Sequence, residues 1–165
     1  MKAVLDASPI IAFFDELRRP DVLLLTRRIG YELFVPHAVV EKDIVKEPGA
    51  TGLQNCLADS SISRLPPIDR EVLAKFLRAH PSLGDGESET IIHVKVFCET
   101  GERALCVLDE GPARRIARSL GLEMKGTIGI INELGRLGIL DETGVESLKR
   151  NLRATTFRVA ERFLK

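Results

Sequence analysis

The chain has few of the residues that build disulfide frameworks or zinc clusters. It contains three cysteines, an odd number, and no pair spaced as Cys-x-x-Cys. We therefore expect neither a disulfide scaffold nor a zinc cluster, and a reducing cytoplasm fits this cysteine content.

Long hydrophobic stretches are also missing. No apolar run approaches the roughly 18 residues that a membrane-spanning helix requires. The first residues have the pattern of a strand, not of a basic segment followed by a cleavage site, so we do not expect secretion. The expectation is a cytoplasmic protein that does not act at a membrane.

Neither sign of charge is in excess, since 24 basic residues balance 24 acidic ones. A basic coat that would bind nucleic acid over the whole surface is therefore excluded. The distribution is less even, because residues 149–165 carry six basic side chains and one acidic side chain. This tail is either a solvated helix face or a segment that holds a polyanion.

What the chain does have is a pattern of short apolar segments alternating with helical ones. Its 165 residues, 44% hydrophobic, predict one globular domain over residues 1–165. The alternation is typical of an α/β fold whose parallel sheet is covered by helices on both faces. Strands are predicted over 2–5, 31–35 and 104–108, with short ones at 61–65 and 123–125, and helices over about 141–165. The proline- and glycine-rich segment 47–67 is predicted to be the loosest part of the chain.

Two predicted strands end in the same way, with an aspartate that precedes a helix. Asp6 follows the strand at 2–5, and Asp109 follows the strand at 104–108. Ligands of parallel sheets bind at the carboxyl ends of the strands, so neighbouring strands would bring both carboxylates into one crevice. The alternative is that each aspartate caps the helix after it, although Ser8 already offers a cap after Asp6.

A third acid, Glu41, lies in a predicted helix with apolar neighbours. It is either part of the same crevice or an exposed glutamate paired with Lys42 or Lys46. A further acidic group opens a helix in the segment 84–89, Gly-Asp-Gly-Glu-Ser-Glu. The helix dipole alone favours acids there, but Glu89 directly precedes the apolar core face, where a carboxylate is costly without a positive partner.

Carboxylates gathered in one pocket repel each other and raise their own pKa values, which a divalent cation relieves. An all-oxygen set of ligands suits Mg²⁺ or Mn²⁺. Such an ion can activate water and offset charge on a phosphodiester. The residues themselves therefore predict a metal site that acts on a phosphate ester.

Five segments, taken in order, resemble a PIN domain. They are Val-Leu-Asp-Ala-Ser-Pro at 4–9, Pro-His-Ala-Val-Val-Glu at 36–41, Gly-Asp-Gly-Glu-Ser-Glu-Thr-Ile at 84–91, Leu-Asp-Glu at 108–110 followed by Ala-Arg-Arg-Ile-Ala at 113–117, and Lys-Gly-Thr-Ile-Gly-Ile at 125–130. The resemblance covers nearly the whole chain and is nearest to prokaryotic PIN proteins related to VapC toxins. It implies a three-layer α/β/α fold with a central parallel sheet of about four to five strands.

The resemblance also implies a metal-dependent endoribonuclease that is the toxin of a toxin–antitoxin pair. Its catalytic and metal-binding positions are matched by four acids, namely Asp6, Glu41, Glu89 and Asp109. Supporting positions are matched by Ser8 and Glu110, and Glu87 competes with Glu89 for the third position. Two departures from the family pattern are Glu89, where aspartate is common, and Leu108, where a hydroxyl residue is common.

The expected partners are RNA, a second copy of the chain and a small antitoxin protein. Arg114 and Arg115 follow Asp109 on one helix and are predicted to hold RNA phosphates, with a solvated helix face as the alternative. A dinucleotide-binding enzyme is excluded because no Gly-x-Gly-x-x-Gly follows the first strand. A receiver-type phosphoacceptor domain would use Lys125 but would leave Glu41 and the segment 84–89 unexplained. The main alternative is a PIN module without strong catalysis that binds RNA or protein.

Overall fold

The computed structural model describes the backbone of residues 1–109 and 111–163 and the side chains of residues 1–109 and 111–155. Glu110, predicted as a supporting residue, lies outside the described residues. The same holds for the last two residues of the predicted C-terminal helix and for all side chains beyond residue 155.

A five-stranded parallel sheet forms the centre of the fold and confirms the predicted three-layer α/β architecture. Its strands are β1 (Lys2–Leu5), β2 (Glu32–Val35), β3 (Ser63–Arg64), β4 (Ala104–Val107) and β5 (Glu123–Lys125). They lie in the order β3-β2-β1-β4-β5, and every neighbouring pair is parallel. The strands far apart in sequence, β1 and β4, are therefore neighbours at the middle of the sheet.

Helices cover both faces of this sheet. The described helices are α1 (Ala7–Ile11), which continues as a π-helical segment (Ala12–Glu16), α2 (Pro20–Leu24), which continues as a 3₁₀ segment (Leu25–Ile29), a second π-helical segment (Val39–Ile44), α3 (Ala50–Ala58), α4 (Arg70–Ala79), α5 (Asp85–Glu99), α6 (Gly111–Ser119), α7 (Thr127–Arg136) and α8 (Glu142–Phe163). None of the helices in the described part of the chain is long and apolar enough to cross a membrane.

The core divides into two apolar clusters because side chains alternate across the central strands. On β1, Ala3 and Leu5 face the cluster that includes side chains of α1, α2, α3, α7 and α8. Val4, between them, faces the cluster that includes side chains of α5 and α6. All three are fully buried. A strand buried on both faces explains why the sequence of β1 is continuously apolar instead of alternating.

Two local predictions about helix boundaries are wrong. The segment 47–67 contains a regular helix, α3, because Leu53 and Cys56 are buried on one side of it. Gly52 is needed inside this helix, since a Cβ there would lie 2.9 Å from Cδ1 of Phe14. Ser8 is not the N-cap of α1, which begins at Ala7 with Asp6 in the N-cap position.

Candidate active site

The predicted strand-end acids follow two strands that are hydrogen-bonded neighbours. Leu5 pairs with Val107 in register, and the backbone N–H of Asp6 donates to the carbonyl oxygen of Val107 at 3.1 Å. Asp6 is 2% exposed, whereas Asp109 is exposed to solvent. Both aspartates thus leave the same carboxyl edge of the sheet, where parallel α/β proteins bind ligands.

Asp109 is held from the far side by the start of α7. Its Oδ1 accepts a hydrogen bond from the backbone N–H of Thr127 at 2.7 Å, and its Oδ2 accepts one from the Thr127 hydroxyl at 2.5 Å. Gly126 lets the backbone come this close, because a Cβ there would lie 2.7 Å from Asp109 Oδ1. The carboxylate therefore caps α7, which begins 18 positions further along the chain.

Glu16 is a further acid near this edge, and sequence analysis did not single it out. It ends the π-helical segment that follows α1, and its Oε2 accepts a hydrogen bond from the Thr155 hydroxyl at 3.2 Å. Burial raises the pKa of Glu16, the bond from Thr155 lowers it, and the charge of Asp109 raises it. Its position one helix after Asp6 is the feature of the sequence that could have suggested Glu16 as a site residue.

Glu89, in contrast, lies in the interior with hydrogen bonds to both of its oxygens. It is 2% exposed. Oε2 accepts from the backbone N–H of Ala38 at 2.8 Å, and Oε1 accepts from that of Ile68 at 3.3 Å. This carboxylate joins α5 to the segment after β2 and to the loop before α4. Glu87, the competing candidate, accepts from the backbone N–H of Gly84 at 2.9 Å and so caps the backbone at the start of α5.

Glu41 is exposed and forms an ion pair that the sequence did not indicate. Nη2 of Arg64 lies 2.6 Å from Oε1 of Glu41 and 2.7 Å from Nδ1 of His37. The expected alternative partners were Lys42 and Lys46, but Lys42 pairs with Asp85 at the start of α5. Arg64 comes from the edge strand β3, so this pair depends on the fold of the sheet.

The acid that the second π-helical segment turns toward α5 is Asp43. A Cβ on Gly86 would overlap Oδ2 of Asp43, which explains why a glycine stands at that point of α5. Partial burial raises the pKa of Asp43, and the charges of Glu87 and Asp85 raise it further. The wider turn of a π-helix breaks the 3.6-residue period, so a helical pattern could not predict which acid faces α5.

Among the residues that the structure describes, no group of three His, Cys, Asp or Glu side chains is placed so that it could hold a metal ion. Mg²⁺ needs only one or two protein carboxylates, with waters and a substrate phosphate completing its shell, and Asp6 and Asp109 offer carboxylates at one edge of the sheet.

A family model described as a PIN domain matches residues 2–165 of the chain. The chain belongs to the PIN-domain family. A search of curated proteins finds no match. PIN domains are in general nucleases that use divalent metal ions, so membership supports hydrolysis of nucleic acid. Within this PIN domain, the carboxyl edge of the sheet at Asp6 and Asp109 is the best candidate for the active site.

The two arginines predicted to hold RNA differ in their surroundings. Nη1 of Arg114 donates to the carbonyl oxygen of Leu108 at 2.8 Å, and the side chain is partly buried. A Cβ on Gly126 would lie 3.3 Å from the same nitrogen, so Arg114 packs beside the loop that holds Asp109. Arg115, the next residue of α6, is exposed.

Proposed function

We propose that this PIN domain is a metal-dependent endoribonuclease. The observation that supports the proposal best is the pairing of β1 with β4, because it brings the backbones of Asp6 and Asp109 to one edge of the sheet. Asp6 is nearly completely buried there. A nearly buried carboxylate at the edge where parallel sheets bind ligands favours a functional reason for its presence.

Asp6 and Asp109 would hold Mg²⁺ or Mn²⁺, since both are hard oxygen donors. When bound, the ion supplies a water of lowered pKa and offsets negative charge on the phosphodiester. The chain's own residues fix the geometry: Ser8 follows Asp6 in the first turn of α1, and Asp109 is held by Thr127. No serine or histidine nucleophile takes part in this mechanism.

To bind the metal, the other two predicted ligands would have to give up the groups that they contact in this structure. Glu41 would leave Arg64, and Glu89 would give up hydrogen bonds from two backbone amides. We propose that Glu89 anchors the segments around the site and that Glu87 closes the start of α5. Asp6 and Asp109 then carry the metal.

Cleavage of RNA is the direct test of this function. A labelled single-stranded RNA should be cut at internal positions by the purified chain with Mg²⁺ or Mn²⁺ present. EDTA should stop the reaction, and an excess of either ion should restore it. Cleavage that continues in EDTA would contradict the mechanism.

RNA binding should depend on the exposed arginine of α6. We expect Arg115→Ala to weaken binding and to flatten the dependence of log K on log salt by about 0.7, the value for one lost phosphate contact on a single strand. Arg114→Ala should flatten it less, since Arg114 already binds the carbonyl of Leu108. Binding measured by fluorescence anisotropy over a range of salt concentrations checks this.

The matched control is Arg103→Ala, because Arg103 is exposed just before β4, at the opposite edge of the sheet. Its salt slope should equal that of the wild type. An equal slope in Arg115→Ala would assign Arg115 to the solvated surface instead.

A second function is favoured by one observation, the absence of a metal-holding group of three such side chains in the described part of the chain. A PIN module of this kind would bind RNA or protein without cutting RNA. Full RNA binding with no cleavage in either Mg²⁺ or Mn²⁺ would support this alternative over the nuclease.

We also propose that the chain is a VapC-like toxin, which forms homodimers, binds a small antitoxin protein and acts in the cytoplasm. The support is the sequence resemblance, together with cysteines 56, 98 and 106, which are all free thiols. Light scattering should give about twice the 18.3 kDa mass of the chain. A monomer at micromolar concentration would contradict the dimer, and the reading frame next to the gene is where an antitoxin should be sought.

A further inference from the structure

The contact between Asp109 and Thr127 links the candidate site to a helix start that no predicted site residue belongs to. Thr127 is 3% exposed and donates to both oxygens of Asp109, once from the backbone and once from the hydroxyl. A carboxylate with two such donors has one orientation, whereas an exposed aspartate at a strand end would rotate freely.

We propose that Thr127 is a positioning residue, which orients the Asp109 carboxylate toward Asp6 for metal binding. The inference rests on the proposed metal-dependent function. Each oxygen of Asp109 keeps lone pairs that Thr127 does not use, so the contact leaves capacity for a cation. Groups that orient the ligands of a metal typically change its affinity or the activity by about 10- to 100-fold when they are removed.

The close approach of the backbone at Gly126 gives the same arrangement a second support. A methyl group at this position would lie 2.7 Å from Asp109 Oδ1 and 3.3 Å from Arg114 Nη1. Glycine is therefore required for the carboxylate to reach the first N–H of α7. Gly126 and Thr127 together form a binding position for one carboxylate. Helix formation alone does not require that this carboxylate belong to the acid at the end of β4.

A purely structural cap is the competing explanation, and the hydroxyl separates the two. Thr127→Val keeps the shape and the backbone donor but removes the hydroxyl, while Thr127→Ser keeps the hydroxyl. Calorimetric titration with Mn²⁺, without RNA, should show about 10- to 100-fold weaker binding in Thr127→Val. Thr127→Ser should stay within about threefold of the wild type. In RNA cleavage, kcat should fall in Thr127→Val with KM unchanged.

Thr26→Val is the matched control for the loss of a buried hydroxyl. Thr26 is fully buried and donates to the carbonyl oxygen of Leu23 at 2.6 Å, in the segment that leads into the amino end of β2. It should lose stability as Thr127→Val does, but with Mn²⁺ affinity unchanged. Gly126→Ala offers a second route, since it displaces Asp109 and leaves the hydroxyl in place, and it should also weaken Mn²⁺ binding.

The outcomes separate this inference from the proposed function. Wild-type Mn²⁺ affinity in both Thr127→Val and Gly126→Ala, with the wild type binding Mn²⁺ and cutting RNA, would overturn the positioning role and leave the nuclease intact. A wild-type chain that binds no Mn²⁺ would overturn both. Equal loss in Thr127→Ser and Thr127→Val would reduce Thr127 to a structural cap.

Discussion

Replacing Asp6 and Asp109 with asparagine is expected to abolish both Mn²⁺ binding and RNA cleavage. The two residues leave adjacent strands at one edge of the sheet and supply the charge that a hard cation requires. A bound metal contributes several kcal/mol of transition-state stabilisation, so kcat/KM should fall by about 1,000-fold or more. Titration calorimetry and cleavage of labelled RNA measure the two losses.

The fold should tolerate these substitutions, because asparagine has the shape of aspartate, and at position 109 its oxygen can accept from the Thr127 N–H while its NH₂ group donates to the Thr127 hydroxyl. Burial raises the pKa of Glu16 and the charge of Asp109 raises it further, so Asp109→Asn alone should bring that pKa down. Glu32→Gln is the matched control, since Glu32 is an exposed acid at the amino end of β2. Mn²⁺ affinity that survives in the double variant would place the metal elsewhere.

The largest effect on stability is expected from Glu89→Gln. The Glu89 carboxylate receives hydrogen bonds from Ala38 and Ile68 inside the protein. A glutamine keeps one acceptor oxygen but turns an NH₂ group toward a second N–H, which leaves buried donors unsatisfied. Hydrogen bonds to charged groups contribute about 1.5–3 kcal/mol, so urea denaturation should show a loss of about 2–3 kcal/mol in the free energy of unfolding.

Glu87→Gln provides the comparison within the same helix. Glutamine can still accept from the N–H of Gly84, so this hydrogen bond survives and the change should stay within about 0.5 kcal/mol. In folded Glu89→Gln, Mn²⁺ affinity should remain near that of the wild type. Stability equal to the wild type, combined with lost Mn²⁺ binding, would make Glu89 a ligand and not an anchor.

Parts of the fold follow directly from local chemistry. Asp69 is a residue type that favours the N-cap position, and its Oδ1 accepts from the backbone N–H groups of Glu71 and Val72 at the start of α4. Gly30 ends the 3₁₀ segment that follows α2, and it has φ of 90°, which glycine adopts without strain. Such signals act over a few residues, so the sequence carries them completely.

The site was less predictable, because each acid forms its hydrogen bonds or ion pair with residues far along the chain. Glu89 bonds to residues 51 and 21 positions away, and Asp109 bonds to one 18 positions away. Glu41 and Asp43 lie two residues apart in the same π-helical segment. Glu41 pairs with Arg64, whereas Asp43 lies against Gly86 of α5. The sequence does not show which of the two acids faces α5, because the π-helical turn departs from the 3.6-residue period.

By itself the sequence determined the α/β class, the strands and the positions of Asp6 and Asp109 at strand ends, since apolar runs followed by acids are local features. Only the tertiary structure decided that β1 lies beside β4, that Glu89 accepts hydrogen bonds from backbone amides and that Thr127 donates to Asp109. The physical reason is that a carboxylate binds whichever donors packing brings within about 3 Å, and packing joins elements without regard to their separation along the chain.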